Sequence, residues 1–532
     1  MTSTYVLTAL AGLAALASAE PDYLSLSDKA PVNAGLPLEA FMSYSIEFSG
    51  FVAYAGNSSH PGTYSNNLLD NLGKLQGTKP YIRVGGNSAD QALFKKDQKE
   101  AWHWIIDPKD PKHPKNESFG PSYFESYQTW PNTRFIHGFN LLKSSDEARQ
   151  ALLESVPHAC KALGNGKLLD WQLGNEPDLY SKEVDGKRQK LLDNDSYREL
   201  WQKWAGEIQT EMKKTCPDMA DDKHYKFYAP SFAGYNELIL KDVFDKGFNK
   251  DGWVEYIDQH NYINSNTNPR VTLQNTLMNH TVTASSVHRL LERKDSLAAL
   301  PADRKANLPF VLGEHNSLIG GGRPGLSSSF GAALWGLDFN LLCASNNISR
   351  VHMHQNNGAA YQSWQPLDTE TTTAGTRPPY YGNIAVASFL GDVSSPDKAA
   401  RISNIPMEDD TSAAYAAFNG GKLNRLMLIN MIAFNATDDN PSKSKGDRPI
   451  QHYGFQLPQG VYKMYTLERL LAAGSDAVTG ITFDGYSYNH DLDNGKPVLL
   501  KNVTRGETGD VTSDGRIYIS VPRSSAVIVR LE

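Results

Sequence analysis

Two short stretches hold the residues best suited to chemistry. "LLDWQLGNEPDLY" (168–180) is an apolar run that closes on Asn175, Glu176 and a proline. "PFVLGEHNS" (309–317) is a second apolar run, closing on Glu314. A turn explains Asn, Gly and Pro at the end of a strand. It does not explain why two such runs each present a carboxylate. Two carboxylates facing one cavity divide their labour by repulsion. At a separation of ~5 Å and an effective dielectric of ~20 the repulsion is about 3 kcal/mol, or roughly two pKa units. One group then stays protonated while the other is ionised. That division suits glycoside hydrolysis, in which an acid protonates the leaving oxygen and a carboxylate attacks the anomeric carbon or activates water. Pro177 fixes the backbone just beyond the acid, and Asn175 offers an amide donor to the neighbouring hydroxyl.

Between about residues 40 and 390, apolar runs alternate with longer amphipathic stretches. The candidate strands are 40–48, 80–86, 134–141, 168–176, 226–232, 254–262, 309–317 and 349–355. Near-continuous apolar runs mark parallel strands buried on both faces. Eight of them with intervening helices predict a (β/α)8 barrel, an α/β fold whose active site lies at the C-terminal strand ends. Glu176 and Glu314 fall on the fourth and seventh strands, across the barrel mouth from each other. Glu47, Arg83 with Asn87, Asn140, Tyr262, and His354 with Gln355 close other strands. Beyond about residue 392 helical periodicity stops and short alternating strands predict an antiparallel β-sandwich. The expected organisation is a leader at 1–19, a strand of the sandwich within 20–38, the barrel at 39–392 and the sandwich at 393–532.

Residues 1–19, "MTSTYVLTALAGLAALASA", read as a secretory signal peptide. No later stretch is apolar and long enough to span a bilayer, so the expected product is secreted and interacts with no membrane. The formal net charge of -7 lacks the basic footprint of a nucleic-acid binder. Sequons at Asn57, Asn116, Asn194, Asn279, Asn347, Asn435 and Asn502 fit export as glycosylation sites. Of three cysteines, Cys160 and Cys216 each end a helical segment on either side of one strand, so a disulfide between them is possible. Cys343 reads as a buried thiol. No metal-site spacing appears among Cys and His, and neither metal nor cofactor is expected. The chain is expected to be monomeric.

"WQLGNEPDLY" and "FVLGEHNSLIGGGRPGLS" together resemble glycoside hydrolase family 79, the β-glucuronidase and heparanase-like retaining enzymes. The resemblance extends to "KPYIRVGGNSAD", "NNGAAYQSW" and "RPPYYGNIAVASFLG", and so covers nearly the whole chain beyond the leader. It implies a barrel plus a β-sandwich built from both chain ends. It implies Glu176 as acid/base, Glu314 as nucleophile and a covalent glycosyl-enzyme intermediate. Asn175 would hold the sugar 2-hydroxyl, and Tyr262 would hydrogen-bond Glu314. Glu47 and Asn87 would face the outer hydroxyls. Gly320, Gly321 and Gly322 with Tyr361 would grip the sugar carboxylate, where backbone amides approach an anion closely.

The substrate implied is terminal β-linked glucuronic acid, or its 4-O-methyl ether, on glycans or glucuronides. One position departs from the pattern: Ile319 stands where the family often has a Tyr before the glycines. That keeps open a retaining β-glucosidase or β-xylosidase. A non-catalytic secreted glycan-binding protein is the alternative from another class, and it would be marked by loss of a carboxylate. An endo-acting enzyme would want a more cationic chain.

Overall fold

The computed structural model describes residues 23–105, 116–184, 187–234, 238–370, 372–438 and 440–532. The leader at 1–19 lies outside the described residues. Eight parallel strands close into a barrel: β1 (Met42–Glu47), β2 (Ile82–Gly85), β3 (Phe135–Phe139), β4 (Leu168–Leu173), β5 (Phe227–Phe232), β6 (Val254–Ser265), β7 (Phe310–Ile319) and β8 (Ile348–Gln355). Each of the eight expected runs coincides with one of these strands, although β6 and β7 continue beyond the expected ends at 262 and 317 and β8 begins one residue earlier. β8 pairs β1 in parallel through Val351 to Met42 and Gln355 to Ile46, which completes the ring.

Helices α1 (Thr63–Gln76), α2 (Asp146–Leu163), α3 (Asn194–Thr215), α4 (Leu240–Asp245), α5 (His280–Ala298), α6 (Phe330–Ser345) and α7 (Pro378–Leu390) surround the barrel. Three of them, α2, α3 and α5, start on side-chain caps. Ser145 Oγ accepts from the Ala148 amide at 3.2 Å, Asp193 and Ser196 form a reciprocal capping box, and Asn279 Oδ1 accepts from the Val282 amide at 3.0 Å. The crossover from β2 to β3 departs from the helical pattern. A small sheet (Ala92–Phe94, Trp102–Ile105, Asn116–Phe119) and a 3-10 helix (Pro121–Gln128) fill it, and Phe48, Phe119, Tyr123 and Phe124 pack there as an aromatic cluster.

Every residue of α6 and α7 is buried. They lie between the barrel and the C-terminal domain, which is why they lack a polar face. That domain has one large sheet beginning at Arg401–Ile405 and a three-stranded sheet of Tyr23–Ser25, Ile450–Gln456 and Arg516–Pro522. Phe418, Leu426, Phe455, Ile519, Val527 and Val529 from both sheets share one core. The N-terminal strand joins Ile450–Gln456 in parallel, the one departure from an otherwise antiparallel sandwich. Tyr415 donates to Asp338 Oδ1 at 2.6 Å and ties the sandwich to α6.

Cys160 at the end of α2 and Cys216 just beyond α3 are joined by a disulfide, with β4 between them in the chain. Cys343 is buried and free. Asn57, Asn347 and Asn502 are exposed, whereas Asn194, Asn279 and Asn435 are half-buried. The amide of Asn279 donates to Asp410 Oδ2 at 2.8 Å, and that of Asn435 donates to the Ser442 carbonyl at 3.2 Å. No described helix is long and apolar enough to cross a membrane.

The close approach of α6 and α7 rests on Gly382, where an added Cβ would collide with the Ala333 carbonyl. Gly382→Ala should therefore cost about 1–3 kcal/mol by overpacking and lower the calorimetric melting temperature. An unchanged melting temperature would show that the two helices can part freely.

Candidate active site

Local backbone features aim the two glutamates inward. Period-two alternation along β7 points Val311 and Gly313 into the barrel and would turn Glu314 outward. A register shift opposite Gln259 and His260 adds one residue to β7, and the pairing resumes at His260 with Glu314. Such a bulge re-aims the following side chain. The extra residue is Gly313, whose amide donates to Asp258 Oδ1 at 2.6 Å. A Cβ there would run into the same carboxylate, which explains glycine inside a strand.

Glu176 is set by a turn instead. Gly174 has φ 85° and Glu176 itself φ 49°, a left-handed conformation that costs a non-glycine residue about 1–3 kcal/mol. The Glu176 amide donates to the Ser231 carbonyl at 3.0 Å, which anchors the turn to β5.

Arg83 joins the two tips. It is fully buried. Its Nη1 donates to Glu314 Oε2 at 2.6 Å and to Ser45 Oγ at 3.0 Å. Its Nη2 donates to Asn175 Oδ1 at 2.6 Å, and its Nε to Gln172 Oε1 at 2.9 Å. Tyr262 donates to Glu314 Oε1 at 2.7 Å, so both oxygens of Glu314 are occupied by donors. Glu176 Oε1 instead lies 3.0 Å from His260 Nδ1. Oxygens of the two carboxyls and a nitrogen of His260 fall within 4.8 Å of one another.

That is also the spacing of a cation cluster. The donor set argues against one, because an ion would have to displace Arg83 and Tyr262 from Glu314, and Arg83 already supplies the balancing charge.

The two carboxyls differ in protonation. Burial pushes Glu176 well up, and the negative charge of Glu314 pushes it further. Burial also raises Glu314, but the charges of His354, His260 and Arg83 and the Tyr262 hydrogen bond outweigh it and hold it well below the usual carboxylate range. Burial lowers His260, against the raising effect of Glu314 and Asp258. His354 is raised despite burial by Glu314 and Glu47. Its Nε2 lies 3.3 Å from Glu47 Oε2 and its Nδ1 3.6 Å from Glu314 Oε2.

The remaining expected residues lie around this pair. Glu47 Oε1 accepts from the Ser88 amide at 2.7 Å, so the carboxylate is clamped between Ser88 and His354. Asn87 is exposed and its Oδ1 accepts from Asn175 Nδ2 at 2.9 Å, which leaves Asn175 one amide hydrogen for a ligand. Tyr361 is buried, its ring 6.2 Å from that of Tyr262 and 6.0 Å from His354. Gly320, Gly321 and Gly322 are all left-handed, with φ 82°, 84° and 78°. The Gly321 carbonyl accepts from the Ala360 amide at 2.7 Å, which ties the run to the Tyr361 loop. Among the described residues the amides of Gly320 and Gly321 donate to no protein acceptor.

Asn140 Nδ2 caps the Lys143 carbonyl at 3.1 Å, a turn role. Trp130 and Trp364 are fully buried and pack as core.

Sequence reading passed over His260 and His354 as scaffold residues, yet both touch the reacting carboxyls. It also passed over Asp90, whose Oδ2 accepts from the Asn175 amide at 2.8 Å. The available signal for the histidines was their place on inward-facing positions of strands 6 and 8.

The chain is similar to known proteins over most of its length. Residues 414–528 match the model of the "Glycosyl hydrolase family 79 C-terminal beta domain". A protein of Aspergillus niger named "Beta-glucuronidase" is 48% identical over 96% of this chain and 94% of its own length. One of the same name from Neurospora crassa is 45% identical over 95% of this chain and 96% of its own. A 4-O-α-L-rhamnosyl-β-D-glucuronidase from Fusarium oxysporum superposes with a TM-score of 0.73 at 22% identity, covering 96% of this chain and 100% of that one. A family 51 α-L-arabinofuranosidase from Bifidobacterium longum superposes at 0.57 and 14% identity over 97% of this chain and 100% of its own. At such identities the structural likeness speaks for the fold.

The hydroxyl of Tyr262 is the only described donor on Glu314 Oε1, so Tyr262→Phe should raise the Glu314 pKa. A hydrogen bond to a charged group is worth about 1.5–3 kcal/mol, or roughly one to two units. Carbon-13 NMR titration of the labelled glutamate carboxyls checks this, and an unmoved titration would show that Tyr262 does not tune Glu314.

Proposed function

This chain belongs to glycoside hydrolase family 79, and from that premise we propose that it is a retaining exo-acting β-glucuronidase. The reaction would release terminal β-linked glucuronic acid, free or 4-O-methylated, from glycans or glucuronides. The observation that carries the reading is the pair of carboxyls within 4.8 Å, one raised and one lowered. Retaining glycosidases place their carboxyls roughly 5–5.5 Å apart, whereas inverting ones leave room for a water.

In the first half-reaction Glu314, ionised, attacks the anomeric carbon as Glu176 gives its proton to the leaving oxygen. The bond from sugar to leaving group breaks and an ester to Glu314 forms. Esterification removes the Glu314 charge, the largest cause after burial that raises Glu176. Glu176, now deprotonated, is therefore poised as a base. It takes a proton from water, whose oxygen attacks the anomeric carbon and restores Glu314. Asn175, fixed by Arg83 and Asp90, would offer its free amide hydrogen to the 2-hydroxyl. The unpaired amides of Gly320 and Gly321, beside Tyr361, suit a carboxylate.

Ile319 favours a second reading, a neutral sugar, because it adds no donor beside the glycines. It is half-buried on the wall shared with Tyr262. The apolar run at 1–19 supports the reading of a secreted glycoprotein, as do the disulfide and the exposed sequons at Asn57, Asn347 and Asn502.

On 4-nitrophenyl β-glycosides, kcat/KM for the glucuronide should exceed that for the glucoside and xyloside at least ~10-fold, the worth of a charge-assisted hydrogen bond. Faster turnover of a neutral sugar would overturn the uronate assignment.

The pH profile follows from the two shifts. Activity needs Glu176 protonated, so it falls as pH rises through a raised pKa. It needs Glu314 ionised, so it falls as pH drops through a lowered one. The kcat/KM plateau should extend on both sides of the ordinary carboxylate range. Glu176→Gln should abolish its alkaline limb and cost about 10²–10⁴-fold on poor leaving groups. A variant that keeps the alkaline limb would take the acid role from Glu176.

A further inference from the structure

A cavity of about 350 Å³ opens beside Glu176, on the side of β5 and β6. Its walls include Glu176, Tyr262, Ile319 and Gly234, together with Arg289 and Arg293 of α5. Glu47 and His354 on strands β1 and β8 and Asn87 just beyond β2, which close the glycone side, do not line this space. An acid that protonates the departing oxygen stands at the boundary between glycone and leaving group. The ground beyond Glu176, away from Glu47, is therefore where the leaving group lies.

The two arginines are four residues apart and share one face of α5, an unfavourable pairing of like charges on a helix. Arg289 is exposed, and among the described residues it makes no hydrogen bond and no ion pair. The neighbouring acid Glu292 faces His288 instead, at 3.5 Å. Arg293 is half-buried and donates to the Gly234 carbonyl, so its head is drawn into the pocket wall. Asp178, a further buried acid, accepts from the amides of Ala233 and Gly234 at 2.9 and 3.0 Å. A chain of net charge -7 thus keeps two cations at the mouth of its acid/base, one of them without a partner among the described residues.

We propose that Arg289 and Arg293 form a leaving-group subsite that recognises an anionic substituent, a carboxylate or a sulfate, on the residue released. The proposal rests on the glucuronidase reading above and adds the chemistry of what the glucuronic acid is attached to. An acidic glycan fits, with a second uronate or a sulfated sugar at the position after the cleaved bond.

The test compares matched aryl β-glucuronides on the whole protein. One pair has a 3-carboxyphenyl or a 3-carbamoylphenyl leaving group. The other has a 3-sulfophenyl or a 3-sulfamoylphenyl group. Wild-type kcat/KM should favour the anion in at least one pair by about three- to ten-fold, the scale of partly solvated ion pairs, and the pair that responds identifies the anion. The preference should shrink with added salt and fall to near unity in Arg289→Gln and in Arg289→Gln/Arg293→Gln.

No preference in either pair overturns the proposal, as does a preference that survives the double variant. Equal losses on charged and neutral leaving groups, with a reduced preference for glucuronide over glucoside, would assign the arginines to the sugar being removed and overturn it too. Turnover of the carbamoyl and sulfamoyl substrates shows separately that the glucuronidase reading stands. Failure to cleave any of the four sinks that reading and this one together.

Discussion

The site depends on one buried cation. Arg83, without solvent access, carries a charge whose removal from water costs several kcal/mol unless partners offset it. Four hydrogen bonds do so, and their direction gives the site its form. The guanidinium plane spans Ser45, Gln172, Asn175 and Glu314, so strands β1, β2, β4 and β7 are registered on one group. The same fork holds Glu314 ionised and turns Asn175 so that one amide hydrogen stays free. Arginine suits this task because its planar donors are already arranged.

Glu176 gains no contact from that cation. Its partner is the buried imidazole of His260, whose pKa is lowered, and its backbone is bent into a left-handed conformation at the strand end. The asymmetry between the carboxyls therefore comes from what each touches, since both are buried to a similar degree. It also makes the arrangement reversible within a catalytic cycle. When the charge on Glu314 is consumed, the acid loses a reason to hold its proton.

Much of this was legible in the residues. Apolar runs of seven to nine residues, closing on polar side chains, located all eight strands, because a strand buried on both faces cannot alternate. Glu176 and Glu314 stood out because a carboxylate ending such a run needs a use. The bulge at Gly313 was less legible: glycine in a strand signals irregularity without saying which neighbour is re-aimed. The aromatic crossover between β2 and β3 has neither helical nor alternating period. His260 and His354 read as ordinary barrel residues because nothing in the chain says that the strands bring them within reach of Glu176 and Glu314. The parallel joining of Tyr23–Ser25 to Ile450–Gln456 involves residues over 400 positions apart, beyond any local pattern.

The central claim is that Glu314 forms the bond to the sugar. Incubation with a 2-deoxy-2-fluoro-β-glucuronide carrying a good leaving group should slow release of the glycosyl-enzyme enough to isolate it. Peptide mass spectrometry should then show one fluoroglucuronyl group on the peptide containing Glu314, attached to that side chain. An adduct on another residue, or turnover with inversion and no adduct, would contradict the account.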